Sequence, residues 1–277
     1  MKYYLLIIII LISCFQTFSQ QSNEYTRLVE KTAGFLEKDQ LDSAEQTLFQ
    51  AMKIEPANPN NTILLFNLGI IQRHLGKFDD ARFSFSASLP NTPDSVLVLH
   101  NRASLFCDMG ELEDAMTDYN SIINIDPTNI EAYYRRGILY LDNNNRIAAE
   151  LDFKRVEEID PSNLFSKLSK ALLYKLDDKW QDAEKIYTDL IDNSTAFNDA
   201  FYLNRAECYV NMDQAFKASA DLRVIEQHQK ENPYFYILRG RVRLDQFDKE
   251  AAKYDFELAK KLGYDPVIAD EWIKKTK

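Results

Sequence analysis

Histidine, cysteine and paired carboxylates supply most metal ligands, nucleophiles and acid–base pairs, and the first two are scarce here. The chain holds His74, His100 and His228, with Cys14, Cys107 and Cys208. No histidine has a partner at metal-ligand spacing. HExxH, paired CxxC, Walker-type loop, GxSxG elbow and Cys-His-Asn patterns are all missing from the sequence. Acidic pairs occur at Asp79-Asp80, Glu113-Asp114, Glu157-Glu158 and Asp177-Asp178. Acids there suit helix starts or solvated faces, so no calcium site is read into them. Cys107 and Cys208 are expected as separate buried thiols. These residues predict no catalysis, no metal and no cofactor.

Composition narrows the class further. Among 277 residues, 45% are apolar and only seven are glycine, which leans toward helices and away from glycine-rich loops and many tight turns. A net charge of -10 argues against nucleic acid, because neutralising phosphates takes a Lys/Arg excess. Three cysteines are too few for a disulfide framework.

The elements that position the remaining residues announce themselves by repetition. Alanine recurs in helical stretches at Ala44, Ala81, Ala115, Ala149, Ala183, Ala218 and Ala252, almost always 34 or 35 residues apart. Four residues after each comes a large apolar side chain: Leu48, Phe85, Tyr119, Phe153, Tyr187, Leu222 and Phe256. One helical turn separates each pair, so both lie on one face. Twelve residues before each alanine sits Thr32, Gly69, Ala103, Gly137, Ala171, Ala206 or Gly240, where a small side chain lets two helices approach. Proline closes the first four periods at Pro56, Pro93, Pro127 and Pro161, ending a helix each time.

This spacing resembles the tetratricopeptide repeat over nearly the whole chain. In that register the repeats run 25–58, 62–95, 96–129, 130–163, 164–197, 199–232 and 233–266, and 267–277 forms a terminal capping helix. Repeats 5 to 7 lack the closing proline, with Thr195, Lys230 and Tyr264 in its place, and extra residues around Asn58-Pro59-Asn60 separate the first two. The resemblance implies an all-α, right-handed superhelical solenoid of about seven helix-turn-helix units, each unable to bury its apolar face alone. Val267, Ile268, Ala269, Trp272 and Ile273 are expected to form the apolar side of the cap, with Trp272 as an alternative docking residue.

The resemblance also implies an inner groove lined by the first helix of each repeat. The sixth residue of a repeat in this family often carries an Asn that hydrogen-bonds an extended peptide, and here it is Asn67, Asn101, Arg135, Ser169 and Asn204. Neighbouring groove candidates are Phe66, His100, Tyr134 and Arg73. An amide donates and accepts at once, which suits a peptide bond. The same Asn67 and Asn101 would equally serve to tie adjacent helices together. The carboxylate-clamp variety of the family is not matched, because Phe66, Ile70 and Glu131 stand where Lys, Asn and Lys are expected, and an acid at 131 repels an acidic ligand.

The first residues read as a targeting segment. Lys2 precedes an apolar run from Tyr3 to Ile12, too short to span a bilayer comfortably, and Thr17-Phe18-Ser19 offers a cleavage site after Ser19. Leu11-Ile12-Ser13-Cys14 also resembles a lipobox, in which Cys14 would carry lipid. Export to the periplasm or outer membrane is expected, with a Cys14-anchored lipoprotein or a secreted protein as alternatives. The functional expectation is a non-catalytic envelope scaffold that binds a partner polypeptide in the groove. It involves no nucleic acid, and membrane contact only through a lipid or a membrane-protein partner. The alternative is an accessory or regulatory subunit presenting a ligand, such as a glycan on Phe66 and Tyr134, to an enzyme or transporter.

Overall fold

A computed structural model describes residues 23–277, so the leader expected at 1–19 and Cys14 lie outside the described residues. Described residues form fifteen α-helices, two single 3-10 turns and no strand. Seven helical hairpins follow in order: α1 (Asn23–Leu36) with α2 (Leu41–Ile54), α3 (Asn61–His74) with α4 (Phe78–Ser88), and α5 (Val96–Met109) with α6 (Leu112–Ile125). Then come α7 (Ile130–Asp142) with α8 (Arg146–Ile159), α9 (Leu164–Leu176) with α10 (Trp180–Asn193), α11 (Asp199–Asn211) with α12 (Ala215–Ile225), and α13 (Pro233–Asp245) with α14 (Lys249–Lys261). A last helix, α15, spans Pro266–Lys275. The chain divides into two compact units, one ending at Arg155 and the other running from Val156 to Lys277.

Within each unit the periodic residues make the hairpin core. All seven alanines are fully buried. Where the small residue is glycine, a phenyl ring fills the space that a side chain would take: a Cβ on Gly69, Gly137 or Gly240 would stand 2.5–2.6 Å from Phe85, Phe153 or Phe256. Asp79 and Asp80, and Glu113 and Asp114, occupy the first turns of α4 and α6, where they face the positive end of the helix dipole.

Each hairpin turns through one left-handed residue at the fifteenth position of its repeat: Asp39, Gly76, Gly110, Asn144, Asp178, Asp213 and Phe247, all with φ between 55° and 76°. Gly, Asn and Asp tolerate that conformation, whereas an aromatic residue does not favour it.

Four hairpins carry an ion pair that the sequence reading missed. Arg102, Arg136, Arg205 and Arg239 each grip a buried aspartate sixteen residues on, Asp118, Asp152, Asp221 or Asp255, through Nε and Nη2 at 2.6–3.0 Å. The remaining Nη1 reaches the preceding hairpin at Ser86, Asn120, Thr188 or Glu226. Aromatic rings flank the guanidinium, as Tyr133 and Tyr140 do at 5.5 and 5.8 Å from that of Arg136. The planar fork and the ring contacts explain why Arg, not Lys, stands there. Arg thirteen before the periodic alanine and Asp three after it were the legible signal.

The last helix docks by Ala269, which is fully buried, and by Trp272, which stacks on Phe256 at 5.7 Å. Val267 and Ile268, expected on that same side, are exposed, because Ala269, Trp272, Ile273 and Thr276 recur at helical spacing on the side that is covered.

Candidate functional site: the face of first helices

Within each unit, first helices of neighbouring hairpins hold one another through side chains. In the amino-terminal unit, Arg73 on α3 donates from Nε to Asp108 on α5 at 2.6 Å. His100 on α5 meets Asn129, at the start of α7, at 3.2 Å and sits edge-on against Tyr119. Arg135 on α7 pairs with Glu131 one turn back at 3.2 Å, and both remain about half exposed. Glu131, which the clamp comparison sets against an acidic ligand, thus offsets the Arg135 charge.

Arg73, Asp108, Arg135 and Asp142 all lie near enough to Cys107 to act on its thiol, which burial, first of all, pushes up from its ordinary value. Cys107 is half-buried rather than buried as expected, because it belongs to this face; Cys208 is buried and its thiol is pushed up to about 12. Burial likewise raises Tyr134, which packs on Phe153 at 6.1 Å and keeps only part of its ring accessible. The structure therefore gathers Arg73, His100, Asn101, Tyr134 and Arg135 on three adjacent first helices.

Two groove candidates do not line a surface. Asn67 is fully buried with no hydrogen-bond partner at either amide atom, and Phe66 is 4% exposed against Phe85. Phe66 is covered within its own hairpin, by Phe85 of α4. Asn101 is accessible in part, but its amide N–H donates to Leu97 O in its own helix.

In the carboxy-terminal unit the face is more tightly knit. Asn204 donates to Ala200 O and accepts from Lys175 Nζ at 2.8 Å and from the Tyr187 hydroxyl at 3.4 Å. Lys175 also pairs with Glu207, both side chains largely buried. Tyr234 is raised far above its ordinary value by burial and then by Glu207. Here the amide is engaged between helices, the second of the two roles open to it. Among the described residues no group of three or more His, Cys, Asp or Glu is arranged to hold a metal ion, and no helix is long and apolar enough to cross a membrane.

Family models for the TPR repeat and the tetratricopeptide repeat match residues 103–144 and 130–163. No curated protein matches the sequence. Among solved structures, a tetratricopeptide repeat protein from Parabacteroides merdae is 36% identical over 92% of this chain and 99% of its own, with a TM-score of 0.73. The chain belongs to the tetratricopeptide repeat family. The fold alone is shared with the Cut9-Hcn1 assembly (13% identity, TM-score 0.67, 95% of this chain and 57% of that one) and with Pseudomonas aeruginosa pilF (14%, 0.57, 76% and 95%). Repeats of this kind make protein–protein interaction scaffolds, and that is the class of this chain.

Proposed function

We propose that the chain is a non-catalytic, exported scaffold that holds a segment of a partner protein on the face of its first helices in the cell envelope. The observation that carries the binding reading is the convergence of Arg73, Asp108, Arg135 and Asp142 around Cys107, beside the half-accessible Tyr134 and Asn101. Burial raises the Asp142 carboxyl. A surface mixing amide, aromatic and charged groups of both signs suits an extended peptide, whose backbone and side chains demand all three. Export is supported by Lys2, the apolar run after it and Thr17-Phe18-Ser19.

The test is capture from an envelope extract by the full chain beside an Asn101→Ala/Arg135→Ala variant, read by mass spectrometry. Both positions are partly or fully exposed, so folding is spared. A protein retained by the native chain and lost by the variant supports the reading; equal recovery, or none, overturns it. Amino-terminal sequencing of the expressed protein checks export: a start at Gln20 or a lipid on Cys14 sustains it, and an intact Met1 in the cytoplasmic fraction removes it.

A further inference from the structure

Two phenylalanines near the carboxyl end stand where the rest of the repeats place something else. Phe247 fills the left-handed turn position with φ 64°, held by Asp, Gly or Asn in the other six repeats, yet its ring is 89% exposed. A bulky side chain at positive φ is strained, and here no burial offsets the cost. Phe216, 86% exposed, occupies the eighteenth position, in the first turn of α12. Elsewhere that position holds Asp42, Asp79, Glu113, Gln181 or Glu250, with the exposed Ile147 in repeat 4. Polar or acidic residues there suit water and the helix dipole.

Both departures fall on the same recess. Phe216 and Phe247 line a hollow of about 700 Å³ at the turn edge of the last two hairpins, where two carboxylates, Asp213 and Asp245, outnumber the one ammonium of Lys217. Neither carboxylate has an ion-pair or side-chain hydrogen-bond partner among the described residues. Of the nearby cations, Lys217 also borders the hollow, with its ammonium over the Tyr209 ring, while Arg241 lies over Trp272 and donates to Asn211. Burial and then Asp213 raise the Asp245 carboxyl, with Arg241 opposing in part. Local strain and exposed rings beside unpaired acids are the mark of a surface selected for contact rather than for folding.

We propose that this turn edge is a second docking site, made of residues other than the cluster around Cys107. It takes a partner-protein segment that lays apolar side chains on Phe216 and Phe247 and sets a Lys or Arg against Asp213 and Asp245. Charge complementarity fixes the sign of the occupant, and the rings fix its apolar neighbours.

The experiment titrates the full chain with fluorescent peptides of sequence Ala-Leu-Arg-Phe-Ala and Ala-Leu-Glu-Phe-Ala, followed by anisotropy up to millimolar concentration. The chains compared are native, Phe247→Asn, Phe216→Gln and Asp213→Asn/Asp245→Asn. The two Phe replacements install residues that repeats 4 and 5 already use at these positions. The Arg peptide is expected to bind the native chain about tenfold or more tighter than the Glu peptide, and each variant is expected to lose about tenfold. Phe247→Asn is expected to melt at the same or a higher temperature, and Asn101→Ala/Arg135→Ala to bind like the native chain, which separates this site from the one proposed above. No saturable binding, binding indifferent to charge, or a lower melting temperature for Phe247→Asn overturns the proposal. So does concentration-dependent self-association abolished by Phe247→Asn, since the occupant would then be a second copy of the chain.

Discussion

The ring of Phe153 occupies the place where a side chain on Gly137 would begin: a Cβ there would stand 2.5 Å from Cε1. The same relationship joins Gly69 to Phe85 and Gly240 to Phe256, whereas Leu48, Tyr119, Tyr187 and Leu222 correspond by repeat position to Thr32, Ala103, Ala171 and Ala206. Glycine goes with phenylalanine in all three hairpins that carry it, and no other hairpin has either residue at these positions.

Gly137→Ala is therefore expected to destabilise the chain by about 1–3 kcal/mol, since Phe153 is 1% exposed and has no free side to move toward. Gly34 lies in the last turn of α1 with nothing within 4 Å of an added Cβ. Gly34→Ala is expected to stabilise by about 0.5–1 kcal/mol through helix propensity. Urea unfolding followed by circular dichroism checks both; an equal effect of the two substitutions would show that the Phe153 contact is not what excludes a side chain.

The hairpins were legible because alanine, the residue four on and the residue twelve back each meet the same packing demand in every period. The burial of Asn67 was not, because position in a repeat tells which way a side chain leaves its helix but not how far the adjoining hairpin covers it. The Arg–Asp pairs escaped notice for a different reason. Both residue types read as surface charge when taken singly, and only their shared spacing from Ala115, Ala149, Ala218 and Ala252 marks them. Phe247 hid in the same way, since its strangeness exists only against Asp39, Gly76, Gly110, Asn144, Asp178 and Asp213.

The pair Arg136–Asp152 gives a second prediction. Both side chains are largely covered, at 17% and 6% exposure, so removing one leaves the other desolvated and uncompensated. Arg136→Leu or Asp152→Ser alone is expected to cost about 3–5 kcal/mol. Repeat 2 already carries Leu68 and Ser84 at the matching positions, both buried. The double variant copies that solution and is expected to cost clearly less than the two single effects combined, by about 1–3 kcal/mol of coupling. Additive losses in the double-mutant cycle would mean that the pair contributes by packing alone.

Tyr119 makes stability fall at high pH. Burial pushes its hydroxyl from the ordinary 10.0 up to about 12. The unfolded chain therefore gives up this proton first, and the native state binds more protons than the unfolded one between those values. Stability is full below about pH 10 and declines as pH rises toward 12, by on the order of 3 kcal/mol for this group. Tyr119→Phe removes the ionisable hydroxyl and keeps the ring among Ala103, Ala115 and Ile122. Unfolding free energy measured from pH 9 to 12 is expected to drop more steeply for the native chain than for the variant, with absorbance at 295 nm reporting the late ionisation. Parallel curves for the two proteins would place the alkaline loss on other groups, Tyr209 first among them, since burial and then Glu184 push its hydroxyl up to about 12 as well.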